Sequence, residues 1–222
     1  MYHHIGDPPP GVRGHEIELW VGREAFAAQM AYVGKAGYQV VSAGELAAGF
    51  QRERGLPRKP LVLTFDDGYE DFYTQAWPVL REHGLTATIF VCSGIVGRAG
   101  HLTWDQLRQL VAAGIEVGSH GVTHRPLTTM TPAGVRRELV DSKRTIQDQI
   151  RAPVRVFSFP TGRHNRHVVL AVELAGYDAA VTTDMGVVQR TSHPYELKRT
   201  RVRRDHTLAT FKTRVRSAWP GS

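Results

Sequence analysis

Four times along this chain a stretch of helical character ends at a glycine, and an apolar, β-rich run starts one or two residues later. Ala36-Gly37-Tyr38 leads into Gln39-Val40-Val41, and His83-Gly84-Leu85 into Ala87-Thr88-Ile89-Phe90-Val91. Ala113-Gly114 leads into Ile115-Glu116-Val117, and Ala175-Gly176-Tyr177 into Ala179-Ala180-Val181. Glycine enters the left-handed conformation without a Cβ penalty and so stops a helix. Each unit reads as helix, cap, tight turn and strand, and a chain that alternates in this way builds a parallel sheet.

The helix starts agree. Thr103-Trp104-Asp105-Gln106 has capping-box spacing, with Leu107, Leu110 and Val111 on one face. Thr131-Pro132 sets a cap before a first-turn proline, and Val135, Leu139, Ser142, Ile146 and Ile150 follow at helical spacing. Asn165 caps a helix carrying Val168, Val172 and Leu174, and further helices are predicted over 23–36, 71–83 (with Pro78 in its first turns or kinking it) and 207–217. Strands are predicted over 1–5, 38–42, 60–65, 86–92, 115–119, 154–159, 179–183 and 197–202. Right-handed crossovers and short loops then give an α/β fold, an irregular (β/α) barrel of seven or eight mostly parallel strands in one domain spanning 1–222. The alternative is an open doubly wound sheet. Residues 6–11 and 50–60 read as rigid surface loops rather than domain boundaries.

A hydrophobic content of 41% over 222 residues is ample for one buried core. No apolar stretch approaches the ~20 residues of a membrane span, and residues 1–15 carry no signal pattern. As written, the sequence is that of a cytoplasmic protein; a missing N-terminal segment would move it to the cell envelope or outside. The single Cys92 excludes an internal disulfide. A formal charge of +7 favours polyanionic partners, but no ribonucleoprotein, zinc-finger or helix-turn-helix pattern accompanies it, which argues against nucleic acid.

Both halves of a candidate site fall just after strands. Thr64-Phe65-Asp66-Asp67-Gly68-Tyr69 follows Leu61-Val62-Leu63, and Ser119-His120-Gly121-Val122-Thr123-His124 follows Ile115-Glu116-Val117. Side chains at neighbouring strand-end positions diverge, so one carboxylate can grip a cation while the other takes a proton. One Asp and two His leave a divalent ion with open positions, as in catalytic zinc, although the same set also holds non-haem iron. Asp66, Asp67, His120 and Pro160 collect at the carboxyl end of the sheet, where α/β enzymes build their sites.

These residues resemble the polysaccharide deacetylases of carbohydrate esterase family four, over nearly the whole chain. Thr64-Phe65-Asp66-Asp67-Gly68 matches the first family motif without departure, and the resemblance implies that Asp66 is the general base and Asp67 a metal ligand. The His120 to His124 stretch matches the second motif and implies the other two ligands, with Gly121 in place of the usual hydroxyl residue. The third motif is degraded. Pro160 matches, Thr161 stands at a Tyr position where its N–H can still serve an oxyanion, and Ser158 stands where the family has Arg; Arg199 or Arg163 is left to tether Asp66, and Arg199 resembles an Arg in the last strand of the biofilm-polysaccharide branch. The C-terminal Leu-x-His motif is missing. Instead, Met1-Tyr2-His3-His4-Ile5 resembles the opening strand of circularly permuted poly-N-acetylglucosamine deacetylases, which implies His3 as general acid with His4 as fallback. Pro160 and Arg199 are expected on the substrate side.

The reaction so implied is metal-dependent removal of N-acetyl groups from a glycan containing N-acetylglucosamine, with zinc first among the ions and cobalt, nickel or iron as alternatives. An amidohydrolase acting on a small cyclic or non-sugar amide and a decayed carbohydrate-binding domain are the other readings. Trp104, Tyr69, Tyr73, Trp77 and His101 fall near the expected rim; core packing is the default role for such residues.

Overall fold

The computed structural model describes residues 1–51 and 55–216. Arg52, Glu53 and Arg54 of the expected 50–60 loop, and Ser217 at the end of the expected last helix, lie outside the described residues. The glycines of the recurring unit take positive φ, 74° at Gly37, 62° at Gly84, 86° at Gly114 and 74° at Gly176. The chain runs β1 (His4–Ile5), β2 (Trp20–Val21), α1 (Arg23–Lys35), β3 (Gln39–Val40), α2 (Ala43–Phe50), β4 (Pro60–Leu61) and β5 (Thr64–Phe65). A π-helical turn, Phe72–Ala76, continues into α3 (Trp77–Glu82), followed by β6 (Thr88–Val91), α4 (Trp104–Ala112), β7 (Glu116–Ser119) and α5 (Pro132–Ile150). Then come β8 (Val156–Ser158), α6 (Arg166–Leu174), β9 (Ala179–Met185), β10 (Leu197–Arg199) and α7 (Leu208–Arg216). Pro78 sits in the first turn of α3 and has no N–H to return to the preceding turn, which is where the helix widens.

Strands β5 to β10 form one six-stranded sheet in sequence order, every pair parallel. The sheet curls, and the N-terminal segment Met1-Tyr2 fills the seam between its two edges. On one side Tyr2 N–H donates to Thr64 O (2.8 Å) and Asp66 N–H to Tyr2 O (3.1 Å). On the other, the Met1 amine donates to Thr200 O (2.9 Å) and Val202 N–H to Met1 O (2.9 Å). The result is an irregular (β/α) ring of seven staves. The strand expected at 38–42 is not among them: β3 pairs with β4 in a separate ladder. The strand expected at 60–65 divides into β4 and β5 because its two halves serve different neighbours.

Two elements were not foreseen: β2, which pairs with β1, and α2. Helix α2 starts at a capping box in which Ser42 Oγ accepts from Glu45 N–H (3.1 Å) and Glu45 Oε2 accepts from Ser42 N–H (2.8 Å). Its Ala43 and Ala47, with half-buried Leu46 and Phe50, pack on Phe90, Val156, Ala179, Val181 and Leu197. At its start Gly44 N–H donates to the half-buried carboxylate of Glu116, the first residue of β7. Helix α2 therefore plugs the floor of the ring, at the ends where the strands begin, and the strand carboxyl ends face the open side.

The outer helices bury the faces their spacing predicts. Val135, Leu139, Ser142, Ile146 and Ile150 of α5 are all buried, each large aliphatic side chain contributing ~1.5–3 kcal/mol. On α6 Val168 and Val172 face the core, but Leu174 is 78% exposed: two residues past Val172 it has turned some 200° to the solvent side. No helix among the described residues is long and apolar enough to cross a membrane.

Candidate active site

Asp66 continues the line of β5, and the alternation that sends Tyr2 and Phe65 outward onto Phe26 points Thr64, Asp66 and His3 into the ring. At Asp67 the chain turns left-handed, with φ of 73°, which separates the two carboxylates. One faces the seam and the other faces the end of β7.

His120 directly follows β7. Its Nδ1 lies 2.7 Å from Ser158 O, so the ring donates there and a neutral imidazole keeps a lone pair on Nε2. That Nε2 lies 3.3 Å from Asp67 Oδ1, and His124 Nε2 lies 3.1 Å from the same oxygen. The donor atoms of Asp67, His120 and His124 all fall within 4.8 Å of one another. Asp67 Oδ1 is buried and meets no hydrogen-bond geometry. A lone pair aimed at a carboxylate oxygen is repulsive unless a cation lies between them, so the donor set fits a divalent ion held by one carboxylate and two imidazoles, with further positions left for other ligands. Burial pushes the Asp67 carboxyl up, and the two imidazoles facing it pull it well below the usual carboxylate range. Asp67 in turn raises His124.

Asp66 is 3% exposed and is gripped from across the seam by Arg199 of β10, with 2.7 Å from Nη1 to Oδ1 and 2.7 Å from Nη2 to Oδ2. The same guanidinium donates to Thr182 O (2.8 Å), Thr64 Oγ1 (3.3 Å) and Ser158 Oγ (3.2 Å). Arg199, expected among the substrate contacts and as one of two possible tethers, is thus committed to Asp66, while Arg163 is exposed. Burial pushes the Asp66 carboxyl up, and Arg199 more than reverses the push, so it lies below the ordinary range.

His3 has its Nδ1 buried without a partner, and burial lowers its imidazole to about 4 against the pull of Asp66 and Asp67. His4 is committed elsewhere. Its Nδ1 lies 2.5 Å from Asp71 Oδ2, Ile5 N–H donates to Asp71 Oδ1 (3.0 Å), and its ring is sandwiched between Trp20 (3.8 Å) and Tyr69 (3.6 Å). Geometry therefore favours His3 over His4 as the group free to meet a ligand. Tyr69 and His101 lie beside the site as members of this stack, whereas Tyr73 and Trp77 pack on each other. Pro160 is buried near the His120 loop, and Thr161 follows it at a φ of 60°.

Two contributors escaped the sequence reading. Asp71 pins β1, and Glu138 of α5 holds the His120 to His124 loop. For Glu138 a signal existed: with Ser142, one turn on, it puts two polar side chains on an otherwise apolar helix face.

Comparison with known proteins bears on this geometry. The family model described as polysaccharide deacetylase matches residues 53–180. YxkH of Bacillus subtilis, named for polysaccharide deacetylases, is 33% identical over 91% of this chain and 70% of its own length. The poly-β-1,6-N-acetyl-D-glucosamine N-deacetylase of Escherichia coli is 23% identical over 84% of this chain, which spans 34% of that protein. Among solved structures, the Streptococcus pyogenes deacetylase PplD, in complex with acetate, superposes with a TM-score of 0.89 at 26% identity, over 96% of this chain and 95% of that one.

Proposed function

This chain belongs to the polysaccharide deacetylase family, and we propose that it hydrolyses the N-acetyl group of a glycan containing N-acetylglucosamine, using a divalent metal and Asp66 as general base. The observation that carries the proposal is the convergence of Asp67 Oδ1, His120 Nε2 and His124 Nε2 within 4.8 Å beside a carboxylate, Asp66, that is held ionised by Arg199. The E. coli relative, named for an N-acetylglucosamine polymer, supports the substrate class.

In this reading Asp67, His120 and His124 hold the ion, zinc being the first candidate, which when bound supplies Lewis acidity toward the acetamide carbonyl and lowers the pKa of water. Asp66 takes the proton of the attacking water. Arg199 keeps it charged and oriented, and its low proton affinity means that it passes the proton on rather than storing it. The Thr161 amide donates to the developing oxyanion, a role worth ~3–4 kcal/mol for one well-aimed donor. His3, neutral at rest, receives a proton within the site and delivers it to the departing amine. Pro160 shapes the same wall. Acetate release from N-acetylglucosamine oligomers, by chelated protein and after addition of zinc, cobalt or nickel, tests this. Release that needs the metal supports the proposal, and release from small amides alone, or none from any substrate, overturns it.

A further inference from the structure

The loop that carries both imidazoles has an accounting of backbone groups that singles out one side chain. On one flank its carbonyls are taken up by the chain that follows β6: Cys92 Sγ lies 3.1 Å from His120 O, Ser93 N–H donates to Gly121 O (3.0 Å) and Gly94 N–H to Val122 O (3.0 Å). His120 N–H still donates to Val91 O at the end of β6 (2.8 Å), but the amides that follow it leave the sheet. Gly121 N–H reaches Ser119 Oγ (3.2 Å), while Val122 N–H (2.6 Å) and Thr123 N–H (3.0 Å) both donate to Glu138 Oε2, and Thr123 Oγ1 donates to Glu138 Oε1 (2.7 Å). Glu138 is 6% exposed, and among the described residues no cation pairs with it. A carboxylate so buried is tolerable only because three donors converge on it.

Gly121 completes the arrangement. Its φ is 81°, and a Cβ there would lie 2.8 Å from Glu138 Oε2. The residue between the two halves of the loop must therefore lack a side chain so that the carboxylate can reach past it to the amides beyond. His124, at the far end, holds a φ of 62°, a conformation that a non-glycine residue keeps only when its surroundings enforce it.

We propose that Glu138 is a positioning residue for the metal site: from α5 it clamps the Val122 and Thr123 amides and so sets His120 and His124 at the spacing a metal needs. The hydroxyl absent at position 121 is thereby replaced by a carboxylate from another element. This inference rests on the metal-site reading and deepens it.

The test is cobalt(II) titration of chelated protein, followed by visible absorption, in the wild type and in Glu138→Ala, Glu138→Gln, Thr123→Val and Asp67→Asn. Glu138→Ala weakens cobalt affinity by ~10- to 100-fold, as loss of outer-shell support does, and alters the absorption bands. Glu138→Gln keeps an acceptor for the amides and a donor for Thr123 Oγ1, and stays within about 3-fold of wild type on the same scale. A purely structural role would lower melting temperature without moving the bands. Should Glu138→Ala fail to fold, Thr123→Val removes a single contact and gives a smaller loss, about 3- to 10-fold. Wild-type affinity and bands in Glu138→Ala or Thr123→Val, or equal losses in the Ala and Gln variants, overturn the clamp while the metal site stands. Absence of cobalt uptake by the wild type, or uptake indifferent to Asp67→Asn, overturns the metal-site reading and this inference with it.

Discussion

Replacing Arg199 by Met keeps most of the side chain's apolar stem and removes the guanidinium, leaving Asp66 buried at 3% exposure with no countercharge. Breaking a buried pair from one side costs ~3–5 kcal/mol. The carboxyl can escape by taking a proton, and for a group that titrates near 3.9 when unfolded, protonation at pH 7 costs about 4 kcal/mol. That route caps the penalty. We therefore expect Arg199→Met to lose about 3–4 kcal/mol at pH 7. In the wild type the Asp66 carboxyl is depressed, so its stabilisation is present above the unfolded pKa and disappears as pH falls through the folded one. In the variant, burial, the largest influence on this carboxyl, is opposed only by the weaker pull of His120 and His3 and the carboxyl rises, so the deficit shrinks by up to ~1.4 kcal/mol per pH unit as pH is lowered toward 5. Urea unfolding at pH 7 and pH 5, with the slope checked for constancy, measures both quantities. In Arg199→Met/Asp66→Asn neither charge remains, and much of the loss should return. A deficit under about 1 kcal/mol at pH 7, or one that does not change with pH, would show that Arg199 and Asp66 do not act as an electrostatic unit.

Asp66→Asn should lower turnover by ~10²- to 10⁴-fold while leaving cobalt uptake stoichiometric, as read by acetate release and visible absorption on the same samples. Because burial lowers His3 to about 4, the folded protein binds fewer protons than the unfolded chain between about 6.5 and 4, and stability falls as pH drops through that window; His3→Gln flattens the fall in melting temperature. Metal removal by chelation should cost about 2.7 kcal/mol relative to protein held at a hundredfold excess over its dissociation constant, seen as a concentration-dependent melting temperature. Ser42→Ala, which removes the cap of the floor helix, should destabilise by ~1 kcal/mol without touching metal affinity.

Local signals make much of this protein legible in its sequence. Glycine stops, capping residues and apolar spacing are written within a few neighbouring positions, which is why the alternation of helices with parallel strands and the faces of α4 and α5 are legible in the chain, while closure into a ring rather than an open doubly wound sheet is not. Asp66, Asp67, His120 and His124 are legible too, since residues just past parallel strands gather at one end of the sheet. Ser42 and Glu45 form a capping box whose spacing is likewise local, so the start of α2 is also written in the chain.

What could not be read lies between residues far apart in the chain. The pairing of Asp66 with Arg199 rather than Arg163 depends on the sheet curling until β10 faces β5, and the commitment of His4 depends on Asp71 drawing its imidazole into an aromatic stack while His3 stays unpartnered. Glu138 reaches its loop only because α5 packs against β7, and the one-sided opening of the ring exists only because α2 fills the other end. Local preferences decide each element from its own neighbours, but the pairing of charges and the filling of the ring depend on distances set by closure, which no window of the sequence contains.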